Sequence, residues 1–250
     1  VTAVAESMVL AAFVAFCRIG GCFLLMPGIA SVRVPIQVRL FVAVAATGAL
    51  LIHMWDQIVP FVSKQPGVLL PMIVSEVMIG GLIGLITRVY ILALQFAGAA
   101  IAMMIGYGGM AGPGIEEPEP QAPLAAIISF AALLLLFVFD FHHEVVKALV
   151  ESYRVAPVNV FFNPQSALVD LTDTLSESFM VMIRLGSPFI AYGLLVNVTI
   201  GFINKLTPQI PVYFISLPFV IAGGLVMLYF AIATLLSLFA DGFIPVTIGR

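Results

Sequence analysis

Charge is what this sequence has least of: Asp, Glu, Lys and Arg make up 9% of its 250 residues, against about 25% in an ordinary soluble domain. With 62% hydrophobic residues and a mean hydropathy of +1.18, water is not its main solvent. The net charge of −3 comes from thinly scattered groups without a basic stripe, which argues against nucleic acid or anionic lipid as a principal partner. Cysteine is nearly absent too. Cys17 and Cys22 lie five apart in an apolar helical stretch, point to different faces and lack a second ligand pair, so buried free thiols are expected. No GxSxG, P-loop or HExxH pattern occurs, so no catalytic residue and no cofactor is expected, and the chain does not read as an enzyme. No basic residue precedes the first apolar run, the wrong flank for a cleaved signal, and that segment is expected to stay as a membrane anchor.

What the sequence does have is apolar runs of spanning length. A bilayer core about 30 Å thick needs roughly 20 apolar residues in a helix, and 250 residues could supply about six such spans. The expected class is all-α: long apolar helices, some kinked, forming integral membrane hairpins. The first runs over 4–26 and stops at Pro27-Gly28; the second covers about 40–52. Residues 68–105 contain no proline beyond Pro71, enough for one helix of about 57 Å at 1.5 Å per residue. That exceeds one crossing, so the helix either projects into water or bends near Thr87-Arg88. A fourth run, 124–139, leads into DFHHEVVKALVESY, whose pattern fits an amphipathic continuation. The fifth and sixth, about 175–206 and 211–239, carry Pro188 and Pro218 and are expected to kink. Loop cations do not orient a six-span arrangement: Arg33, Arg39 and Lys205 fall on one side, against Lys64, Lys147, Arg154 and Arg250 on the other.

Few residues suggest chemistry. Gly80 with Gly84, and Gly98 with Ala102 and Gly106, recur at spacings that let helix backbones approach, a packing signal that does not name the neighbour. Glu76, Arg88 and Arg184 sit in apolar runs, where ionisable groups face a partner or water. Either Glu76 is a proton relay, which would need titratable neighbours that the adjacent sequence lacks, or these charges form structural ion pairs or interface contacts, or they meet water because the helix end is not in lipid. Asp140, His142, His143 and Glu144 are metal ligands by type, but adjacent residues on a helix diverge by about 100°, so no metal is expected and a polar helix end suffices.

Residues 106–123 read GYGGMAGPGIEEPEPQAP, with five glycines, four prolines and three glutamates, and cannot continue a helix. Two readings stand: an exposed linker, or a re-entrant or pore-lining element whose polar backbone is satisfied by protein or water.

Certain positions taken in order carry a family resemblance: Arg18, Pro27, Pro35 and Arg39; Glu76-x-x-x-Gly80 with Gly84, Gln95 and Gly98; the Gly106 loop; His142-His143 before Ser152 and Pro157. The C-terminal set is fuller, with Pro188, then Gly201-Phe202-Ile203-Asn204-Lys205, Thr207-Pro208-Gln209 and Val212-Tyr213-Phe214. Over essentially its whole length the chain resembles the FliR/SctT family of type III export-gate subunits. It departs from that pattern at Asn204-Lys205, where a Ser-Arg type pair is commoner, and at Pro211, where Asn is usual.

The resemblance implies a subunit of the flagellar export gate, built with FliP and FliQ, near FlhB and FlhA, and passing unfolded flagellar proteins. An injectisome gate for virulence effectors is the alternative, and a small-molecule transporter a more distant one for which no internal repeat is seen. It implies a FliP-like part, 1–164, and a FliQ-like hairpin, 165–250. It further implies a place in the bacterial inner membrane and flagellar basal body, raised toward the periplasm, which would account for the weak loop-charge signal. Finally, it implies a channel plug at Gly106, Tyr107, Gly108, Gly109, Met110, Gly112, Pro113 and Gly114, and a family motif at Lys205, Pro208 and Gln209.

Overall fold

The apolar runs become helices in a computed structural model that describes residues 2–109 and 122–248. In chain order these are α1 (Thr2–Leu25), α2 (Ile36–Leu51), α3 (Trp55–Ile58), α4 (Pro66–Met104), α5 (Pro123–Val138), α6 (Phe141–Val155), α7 (Pro164–Leu206) and α8 (Val212–Ile248). A single 3-10 turn, Val59–Phe61, follows α3, and no strand occurs among the described residues. Four helical stretches are long and apolar enough to cross a bilayer: Glu6–Leu25, Pro66–Met104, Pro164–Leu206 and Val212–Phe239. Two bent pairs bring the number to six. Ile36–Leu51 turns by 93° into Trp55–Phe61, and Pro123–Val138 turns by 64° into Phe141–Val155.

The boundaries follow local chemistry. Pro66 takes the first position of α4, where a missing N–H costs little, and the helix continues past the interior Pro71 and through Thr87 and Arg88 to Met104. The 39 residues give it about 58 Å, nearly twice the apolar core of a bilayer. No break falls at Thr87-Arg88, although the boundary between two structural units lies just beyond, after Val89. α7 begins at Pro164 instead of near Leu175. The early start has a local cause: Asn163 Oδ1 accepts the Gln165 N–H at 3.0 Å, an N-cap followed by proline at the first helical position. Asp170 and Asp173 lower the hydropathy of this first part without opposing a helix.

α6 is the amphipathic continuation expected after α5. Phe141, Val145, Leu149 and Tyr153, four apart, are its buried stripe, while Lys147, Glu151 and Arg154 lie outside.

Two units divide the described chain. One holds the chain through Val89 together with Phe139–Leu175; the other holds Tyr90–Val138 and Ser176–Ile244. In the first, Ala11, Val14, Ala15, Ile19 and Cys22 of α1 form the buried core with α6's stripe, and both cysteines are buried free thiols. In the second, Tyr90 and Phe239 pack ring to ring with centroids 5.3 Å apart, both almost fully buried.

Candidate functional site

Removing an arginine and a glutamate from water is expensive unless each meets the other, and in the first unit they do. Arg18 on α1 and Glu76 on α4 are both 0% exposed. The Arg18 Nε–H donates to Glu76 Oε2 and its Nη2 to Oε1, each at 2.7 Å, a two-pronged ion pair. The remaining guanidinium donors reach α6 and its end: Nη1 donates to Ser152 Oγ at 3.0 Å and Nη2 to the Ala156 carbonyl at 2.8 Å. The Tyr153 ring lies against the cation, its centroid 3.8 Å from Cζ. One side chain thus ties α1, α4 and α6 together in a fully buried setting, where partial pairing would be costly. With both its oxygens held by Arg18, Glu76 has the surroundings of a structural ion pair.

The pair forms because small residues bring α1 and α4 to backbone contact. A Cβ on Gly80 would overlap the Arg18 carbonyl, and one on Gly84 would overlap that of Cys22. A Cβ on Gly21 would stand 2.8 Å from the Val77 carbonyl oxygen. Ser75, beside Glu76, accepts the Phe162 N–H at 2.7 Å and anchors the segment leading into α7. The local sequence around Glu76 could not reveal its partner, which is 58 positions away. Arg18 inside an apolar run was the available signal.

The second unit positions the root of the glycine-rich loop. α4 ends in a Schellman motif: the Gly106 N–H donates to Met103 O at 3.2 Å and the Tyr107 N–H to Ala102 O at 2.8 Å. Gly106 has φ of 80°, which a side chain resists, and its added Cβ would also stand 3.2 Å from Leu217 of α8. Gly98 meets α5, where its Cβ would be 3.3 Å from Ala125 Cα. The end of α4 presses on two glycines that sequence reasoning missed. A Cβ on Gly193 would lie 3.1 Å from the Met104 carbonyl, and one on Gly224 would overlap Ile105. Glycines inside long apolar helices were their only signal. Beside them the Tyr192 O–H donates to the Val220 carbonyl at 2.7 Å, joining α7 to α8.

Of the expected plug residues, Gly106 to Gly109 are described, and Met110, Gly112, Pro113 and Gly114 lie outside the described residues. Gly80, Gly84, Gly98 and Ala102 are buried. Arg88 is half-buried, while Arg184, Lys205, Pro208 and Gln209 are exposed. Among the described residues one group could hold a metal ion: Asp140, His142 and His143.

The pattern of the family described as "Bacterial export proteins, family 1" matches residues 9–244, covering both units and every residue of the Arg18 cluster. The chain belongs to this family. The flagellar biosynthetic protein FliR from Caulobacter vibrioides is 26% identical over 228 residues, covering 90% of each chain. FliR of Aquifex aeolicus is 26% identical over 229 residues, 89% of this chain and 85% of its own. FliR of Escherichia coli K12 is 26% identical over 154 residues, 61% of this chain and 58% of its own.

Proposed function

We propose that this chain is a flagellar type III export-gate subunit that assembles with FliP- and FliQ-type chains into the channel through which unfolded flagellar substrates leave the cell. The observation that carries this reading is the family match across residues 9–244, together with FliR relatives aligned over nine-tenths of the chain. The names of those relatives favour the flagellar system over the injectisome. FlhB and FlhA are the further neighbours this reading places at the gate, and the inner membrane and flagellar basal body its location.

The physical character of α7 and α8 supports assembly. Phe214, Phe219, Tyr229 and Phe230 of α8 are each about three-quarters exposed, as are several apolar residues of α7 to a smaller degree. Such faces require lipid or sister helices. The FliP-like part would be 1–164 and the FliQ-like hairpin 165–250. The start of α7 at Pro164, and the short turn between Leu206 and Val212, suit that division.

In this reading 106–114 closes the resting channel. Gly106 ends α4 without a long helix having to melt, and Met110 is a side chain suited to irregular apolar surroundings. Deleting 106–114 in cells carrying the assembled gate is expected to raise ion leakage. Background leakage in a deletion complex that still copurifies FliP and FliQ would reject the plug role. Failure of the intact tagged chain to copurify FliP and FliQ would reject the gate-subunit role itself.

A further inference from the structure

We propose that Asp140, His142 and His143 form a binding site for a divalent transition-metal cation, with Zn²⁺ the best-matched ion, at the start of α6. The expectation of no metal rested on these residues lying on one continuous helix, which would spread their side chains apart. Asp140 does not belong to that helix. It occupies the left-handed region at φ 57° and ψ 29°, the only described non-glycine residue with positive φ, and α5 and α6 meet there at 64°. Most L-residues resist left-handed backbone but Asp and Asn tolerate it, and here it turns the carboxylate back over the first turn of α6.

The result is convergence. Asp140 Oδ1 lies 3.4 Å from His143 Nδ1 and 3.9 Å from His142 Nε2. The two imidazole centroids are 4.3 Å apart, although neighbours on a helix point about 100° apart. One donor atom from each residue lies within 4.8 Å of the other two. Around a tetrahedral ion with bonds of about 2.0–2.1 Å, donor atoms stand about 3.3 Å apart. The Asp140–His143 edge already has that length, and the other edges close through χ rotation of side chains that are substantially exposed.

Donor chemistry selects the ion. Two imidazoles with one carboxylate suit Zn²⁺ and its neighbours in the first transition row, whereas Mg²⁺ and Ca²⁺ prefer all-oxygen shells. Three protein ligands leave a fourth position for water or a partner's side chain. An ion bound here would tie Asp140 to the first turn of α6, from which the two histidines come. The Glu144–Lys147 pair, at 2.6 Å on the next turn, leaves that carboxylate already engaged.

The test uses the full chain in detergent, stripped of metal and titrated with Co²⁺ and then Zn²⁺. One equivalent of Co²⁺ is expected, with visible ligand-field bands that Zn²⁺ abolishes. Asp140→Asn, which keeps a residue tolerant of left-handed backbone, and His143→Gln should each weaken binding at least about tenfold. His53→Gln, which removes the remaining histidine, should change nothing. Asp140→Gly relieves the backbone while deleting the carboxylate. It should preserve helicity by circular dichroism yet abolish the rise in melting temperature that Zn²⁺ gives the unaltered chain. Absence of saturable binding, or equal affinity in the His142→Gln/His143→Gln double variant, would overturn the site.

Discussion

The two units solve the same problem, holding apolar helices together without a large hydrophobic gain, by different means. In the first unit a charged side chain is added to the close glycine contacts at Gly80 and Gly84: Arg18 donates to Glu76 on α4 and to Ser152 and Ala156 at the end of α6. In the second unit the joining is mostly steric, through Gly193, Gly224 and Gly106 around the end of α4, with Tyr192 adding one hydrogen bond. The contrast teaches that low polarity does not enforce a single packing strategy. A fully satisfied ion pair tolerates no loss of a member, whereas a glycine contact tolerates no addition.

Three substitutions sharpen that difference. The largest effect is expected from Glu76→Ala, which leaves the Arg18 cation buried without its counter-charge. A loss of about 3–5 kcal/mol is expected in denaturant unfolding of the purified chain. Replacing both partners, as Arg18→Met with Glu76→Leu, should recover most of it; equal damage from the double variant would show that the pair's charge itself is required. A smaller loss, about 1–3 kcal/mol, is expected of Gly224→Ala, whose methyl would overlap Ile105. Its control is Gly201→Ala on α7, where nothing lies within 4 Å of the added carbon and helix propensity should make the change neutral or stabilising. Identical behaviour of the two would break the steric account. The smallest effect belongs to Tyr192→Phe, which removes the hydrogen bond to Val220 O and should cost about 0.5–1.5 kcal/mol in the same unfolding measurement. A cost equal to that of Glu76→Ala would place the second unit's cohesion in polar contacts after all.

Much of the helix pattern was legible because it depends on local quantities. Run length and proline position located α1, α4, α5 and α8, and the charge pattern of DFHHEVVKALVESY identified α6 as amphipathic. The start of α7 was hidden because Asp170 and Asp173 reduce apolarity without reducing helicity, while Asn163 and Pro164 carried the stronger, conformational signal. At the functional residues, Glu76 was visible as an anomaly but its partner was not, since pairing across 58 positions depends on how two helices cross. Gly80 and Gly84 were recognisable as packing positions from their spacing. Gly193 and Gly224 were not, because neither repeats at such a spacing and each matters only where Met104 and Ile105 arrive.

By itself the sequence determined that this is a helical chain fit for apolar surroundings, with a glycine-rich break after α4. These follow from composition, periodicity and proline and glycine chemistry, which act within a few residues. Tertiary structure alone decided that Arg18 meets Glu76, that glycines from α7 and α8 receive the end of α4, and that Asp140 turns out of the helical path to face two histidines. Those are matters of which backbones approach and at what angle, and a side chain's partner is set by that geometry rather than by its neighbours in the chain.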